Sequence, residues 1–175
     1  SDIRKVVSPV LRTGVNSTIY YIDFSFDKLK LGGSAFAQSL DKIGKEVPTV
    51  QDSEYFANAF NAVQELINKE LILAGHDISA GGMITTMLEM NFANTEGGLE
   101  VSLDEIPEKD LVKILFSENP GILIQVEKTD EVEKILKKAG IAFIRLARPC
   151  DERHLLIHKD GADYQFFIDH LRDVW

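Results

Sequence analysis

The sequence predicts a layered fold in which helices pack on a mixed sheet. Three observations predict it. Segments with helical apolar spacing alternate with short β-branched runs through the middle of the chain. The C-terminal part is strand-rich, with HLLIHK and DYQFF close together, so a purely parallel sheet does not fit. No repeat, low-complexity tract or linker interrupts the pattern, and 175 residues suit one domain, 1–175.

Each element has its own reason. STIYYIDFSF (17–26) is β-branched and aromatic and reads as a strand. After LGGS, Phe36, Leu40 and Ile43 sit at helical spacing, so a helix is expected up to about Gly44. Asp52 can cap the next helix, to about Lys69, whose inward face is read as Phe56, Phe60, Val63 and Ile67, with Leu66 beside them. ELILAGHD (70–77) is a short buried strand. MITTMLEMNFA (83–93) is apolar nearly all round and reads as a helix covered on several sides. GLEVSL (98–103) alternates as a strand, 107–116 is a short helix, and GILIQV (121–126) is a strand. Asp130 opens a helix with Val132, Ile135, Leu136 and Ala139 inward, closed by Gly140. IAFIRLA (141–147), HLLIHK (154–159) and DYQFF (163–167) are strands, and IDHLRDVW is a terminal helix.

Composition narrows the function classes. The net charge of −9 argues against a nucleic-acid binder working through a broad basic face, while leaving room for phosphates held by backbone N–H groups. No apolar run approaches the roughly 20 residues that span a bilayer. The single cysteine, Cys150, excludes an internal disulfide framework and points to a reducing, cytoplasmic setting. The N-terminus SDIRKVVSPV has no secretory signal pattern, which makes Asn16-Ser17-Thr18 a chance glycosylation match. Ser1 in first position gives the chain the look of an excised or processed piece.

Three segments have the residues for chemistry. In LGGSAFAQ (31–38), Gly32, Gly33 and Ser34 at a helix start would serve either as an anion cradle or as a tight turn with Ser34 as N-cap; the turn is preferred on this segment alone. No P-loop pattern occurs. In HDISAGGM (76–83), Asp77 at a strand end would hold Mg²⁺ while Ser79 and the Gly81 and Gly82 amides reach phosphate oxygens, with His76 bonding phosphate or packing. An Asx-type turn, with Asp77 bonding its own backbone, is the equal alternative. In LFSENPG (115–121), Glu118 in a turn is a metal ligand or a partner for a lysine, and Asn119-Pro120 is an ordinary turn signal. His154 and His158 would share a strand face at about 13 Å, too far apart for one metal. Cys150 has no activating surroundings in sequence.

In this order, LGGSAFAQ, HDISAGGMITTMLEM and LFSENPGILIQV resemble the C-terminal domain of the ATP-dependent aminoimidazole ribonucleotide synthetase superfamily, from about Val7 to Ala147. Within it the wording is most similar to the second such copy in the large, multidomain phosphoribosylformylglycinamidine synthases. The resemblance implies an α+β fold, a three-layer α/β/α arrangement with a mixed sheet between helix layers, and a part in making formylglycinamidine ribonucleotide from formylglycinamide ribonucleotide, ATP and glutamine-derived ammonia. It implies Mg²⁺ and ATP or ADP as cofactors, with Asp77 and Glu118 toward the metal. Gly32, Gly33, Ser34, His76, Ser79, Gly81 and Gly82 would face nucleotide or phosphate. It implies as partners the remaining domains of the same enzyme, nucleotide-binding N-terminal domains and a glutaminase, neither of which is found here. Such a chain is a fragment supplying one wall of a composite site, inactive alone. The alternatives are a related enzyme, such as aminoimidazole ribonucleotide synthetase or selenophosphate synthetase, or a non-catalytic scaffolding domain.

Overall fold

The computed structural model describes residues 5–175; the start of the chain, Ser1 to Arg4, lies outside the described residues. One seven-stranded mixed sheet runs in the order β2-β4-β1-β5-β3-β6-β7. Its strands are β1 (Thr18–Asp23), β2 (Ala74–Asp77), β3 (Gly98–Ser102), β4 (Gly121–Val126), β5 (Ile144–Cys150), β6 (His154–Lys159) and β7 (Ala162–Phe167). The helices are α1 (Ala35–Ser39), α2 (Ser53–Asn68), α3 (Gly82–Phe92), α4 (Leu111–Phe116), α5 (Thr129–Lys138) and α6 (Ile168–Val174). Every described strand pair is antiparallel except β3 with β6.

The strand sequences account for the layering. β1 is apolar on consecutive residues and buries both faces. Ile19 and Tyr21 join Met83, Met87 and Met90 of α3 and Ile114 of α4 on one side. Tyr20 and Ile22 join Ala59, Val63 and Leu66 of α2 and Val132 and Leu136 of α5 on the other. β6 instead alternates, burying Leu155 and Ile157 against the first cluster. Its other face is open, and Glu100, Ser102, Arg145, Arg148 and His158 line a cavity of about 360 Å³ there. The third layer therefore covers only part of the sheet.

Several expectations shift. The helix after LGGS ends at Ser39 rather than near Gly44, and Leu40 and Ile43 are exposed. β1 and β2 are shorter than read, α4 begins only after Asp110, and β5 starts three residues later than expected. α5 starts one residue before Asp130 with no side-chain cap. The inward stripe of α2 is Ala59, Ala62, Val63 and Leu66, and Phe60 is exposed. The alanines let the helix lie close to the sheet, which turns the phenylalanines to its rim. β4 and β6 and the Asp52 cap fall where the sequence puts them.

Candidate functional site

The chain turns from β2 into α3 at 77–82. Ile78 is buried and donates its amide to the Gly121 carbonyl at 2.9 Å, so its neighbours face outward. The Asp77 side chain is 76% exposed, and among the described residues its carboxylate takes no backbone amide. The Asx-turn alternative is therefore not what forms. Ser79 is exposed as well, its carbonyl accepting the Gly82 amide at 3.0 Å. Gly82 has φ +74°, and a Cβ there would stand 2.6 Å from the Leu115 carbonyl oxygen, so this glycine lets α3 start against the end of α4. Buried Thr86 donates its hydroxyl to the Asp77 and Gly82 carbonyls. The His76 ring is half-buried, with Nδ1 2.9 Å from the Asp77 carbonyl oxygen and Nε2 3.1 Å from a Glu89 carboxylate oxygen. Both ring nitrogens are engaged within the chain, which favours packing over phosphate contact.

The corner at 31–35 is closed on itself. The Gly32 amide donates to the Glu46 carbonyl at 2.8 Å and the Gly33 amide to Ile43 at 2.7 Å. A Cβ on Gly32 would lie 2.3 Å from the Glu46 oxygen, so close backbone approach explains that glycine. Ser34 is buried, donates its hydroxyl to the Leu31 carbonyl and accepts the Ala37 amide as the N-cap of α1. The groups read as an anion cradle are spent in the turn.

The turn at 117–121 joins both corners. Glu118 Oε1 accepts the Ala35 amide at 2.8 Å and the Gly81 amide at 2.8 Å. Asn119, 1% exposed, donates to the Ser25 hydroxyl and the Lys28 carbonyl and accepts the Lys30 amide. The Pro120 carbonyl accepts the Phe24 amide at 2.9 Å, and Phe36 stacks on Phe116 with centroids 4.7 Å apart. The loop that Asn119 pins carries Asp27. Burial alone would raise that carboxyl, but bonds from Lys30, Thr49 and the Lys28 amide hold it well below the usual carboxylate range. Asp77 and Glu118 do not join a group of three or more His, Cys, Asp or Glu side chains able to hold a metal among the described residues.

Beside Asp77 opens a cleft of about 340 Å³ lined by Phe24, Phe56, Phe60, Ile67 and Pro120. The sequence reading missed this cleft because it counted Phe56 and Phe60 as core. It also took Asn119 for a turn marker; its burial depends on partners some ninety residues away. Of the β6 histidines, His158 Nδ1 lies 2.6 Å from an Asp163 carboxylate oxygen and His154 Nδ1 3.2 Å from the Gln165 amide nitrogen, and among the described residues neither joins a group of three or more His, Cys, Asp or Glu side chains able to hold a metal. Burial, with Glu152 and Glu100 nearby, pushes the Cys150 thiol up, in keeping with an inert side chain.

Known proteins are similar to this chain in sequence and in fold. The chain is 36% identical over 179 residues to the probable phosphoribosylformylglycinamidine synthase, chloroplastic/mitochondrial, of Arabidopsis thaliana, covering 99% of this chain and 12% of that protein. It is 35% identical over 194 residues to the probable phosphoribosylformylglycinamidine synthase of Caenorhabditis elegans, covering 100% of this chain and 14% of the relative. The chain thus spans a small part of the length of the curated relatives it matches. In structure it is similar to T. maritima PurL complexed with ATP, with a TM-score of 0.72 at 15% identity over 97% of this chain and 28% of that one, a likeness of fold. No described helix is long and apolar enough to cross a membrane. The family described as AIR synthase related protein, C-terminal domain, matches residues 16–155, and the chain belongs to it.

Proposed function

We propose that this chain is one domain, 1–175, of a phosphoribosylformylglycinamidine synthase and forms one wall of its Mg-nucleotide site. The reaction is the ATP-dependent conversion of formylglycinamide ribonucleotide and glutamine into formylglycinamidine ribonucleotide, ADP, phosphate and glutamate. The remaining domains of the same enzyme, nucleotide-binding N-terminal domains and a glutaminase, supply the rest, in the cytoplasm. The observation that carries the reading is the outward Asp77 carboxylate at the point where three distant segments meet. Support comes from the relatives that carry this enzyme's name and from the ATP held by the T. maritima chain of the same fold.

The residues fit the cation. Mg²⁺ takes one or two carboxylates and fills its remaining positions with water and substrate phosphates. Asp77 offers one such carboxylate without a competing amide, and Ser79 lies exposed two residues on. When bound, the ion would offset charge on the transferring phosphoryl group. The closed bonding at 31–35 gives Gly32, Gly33 and Ser34 a supporting part.

Asp77→Asn in the full-length enzyme tests the reading. MgADP affinity or turnover should fall by about tenfold or more, the size of a lost charged ligand contact. Unchanged affinity and rate would remove Asp77 from the site. The 175-residue chain alone should show no ammonia-dependent synthesis; measured turnover would overturn the one-wall reading.

A further inference from the structure

We propose that Glu118 is a positioning residue, a carboxylate clasp that fixes the Asp77–Ser79 corner for its ligand without touching metal or nucleotide. The inference rests on the reading of that corner as a Mg-nucleotide site.

One oxygen of Glu118 receives two amides, Ala35 at the start of α1 and Gly81 immediately before α3. Both donors stand where helix amides lack intrahelical partners, and a carboxylate there gains from charge-assisted bonds and from the helix dipoles. α3 has no side-chain cap of its own, so the Glu118 oxygen serves that purpose from a distant turn.

The clasp is not what holds the turn itself in place. Asn119 ties it to the 25–30 loop, the Pro120 carbonyl to Phe24, and the Gly121 carbonyl to Ile78. What Glu118 adds is the placement of the two glycine corners relative to each other. Asp77 lies four residues before Gly81, and Gly82 is wedged against α4, so holding the Gly81 amide limits the path open to residues 77–81. A metal ligand would need its charge, whereas a clasp needs only an oxygen that accepts two N–H groups. Gln in place of Glu separates the two roles.

The test uses the full-length protein, with Glu118→Ala, Glu118→Gln and Asp77→Asn. Two quantities are measured for each: MgADP affinity by calorimetry, and hydrogen exchange of peptides covering residues 31–38 and 78–86. E118A should weaken MgADP by about tenfold and speed exchange in both peptides, the result of two lost charge-assisted bonds. E118Q should stay within about threefold of the native protein and keep both peptides protected, since its carbonyl still accepts. Equal loss in E118Q and E118A with both peptides protected would overturn the clasp and place the charge on the metal. Faster exchange in E118A without weaker binding would overturn it as well, leaving Glu118 a structural residue. D77N weakened beside an unaffected E118A defeats the clasp alone. D77N with unaltered affinity defeats the site reading and the clasp with it. Should E118A not fold, E118Q still decides between acceptor and charge.

Discussion

At one corner the Gly32 and Gly33 amides bond carbonyls of the 43–46 segment and the Ser34 hydroxyl caps α1. At the other, Asp77 and Ser79 face solvent beside an apolar cleft. Both corners carry adjacent glycines ahead of a helix, and both give one amide to Glu118. Paired glycines before a helix thus arise for more than one reason. What separates the cases is where the neighbouring polar side chains are spent. The closed corner spends them on its own backbone, and the open corner leaves them facing solvent.

The comparison can be broken most sharply at Gly82. Gly82→Ala puts a Cβ against the backbone of Leu115 and Phe116 at positive φ, where no rotamer change relieves it. A loss of about 3 kcal/mol in urea unfolding is expected, combining left-handed strain and overpacking. A loss below about 1 kcal/mol would show that α3 can back away from α4. Asn119→Ala strips the closed corner's approach of three hydrogen bonds and should cost about 2 kcal/mol, with faster exchange at residues 25–30. Exchange unchanged there would mean that Asp27 anchors the loop unaided.

Ser34→Ala removes the α1 cap and should cost about 1 kcal/mol while leaving MgADP affinity alone. A clear loss of affinity would return Ser34 to the ligand and erase the contrast between the corners. The smallest effect concerns pH. Asp27 has its carboxyl pKa lowered in the folded chain, so its contribution is present above the unfolded value of about 3.9 and is lost as pH falls through the folded one. Stability measured from pH 5 downward should decline less steeply in Asp27→Asn than in the native chain; parallel curves would show that Lys30 and Thr49 do not hold the carboxylate in solution.

Much of the fold is legible because burial leaves a period. β6 alternates because one face is open, and β1 is apolar from Ile19 to Ile22 because both are covered. The α2 stripe misleads for a physical reason: large aromatics dominate a periodic reading, whereas close approach to a sheet favours small residues such as Ala59 and Ala62. In the candidate site, Asp77 at a strand end was legible, because strand ends are where open sheets present side chains. The work of Glu118 and Asn119 was not. Their partners lie far off in sequence, and nothing local distinguishes an acid that accepts two amides from one that faces water.

The Glu118 bonds also bear on how the molecule comes together. One oxygen reaches 83 residues back to Ala35 and 37 back to Gly81, so two excursions of the chain, 35–81 and 81–118, must close before both bonds exist. Closure entropy is met in full before such distant pairings repay it. The sheet draws both excursions in, since β1 sets Asp23 beside Gly121 and β2 sets Asp77 beside Ile122, so the Asp77 corner is expected to take its final shape only after both strands have paired with β4.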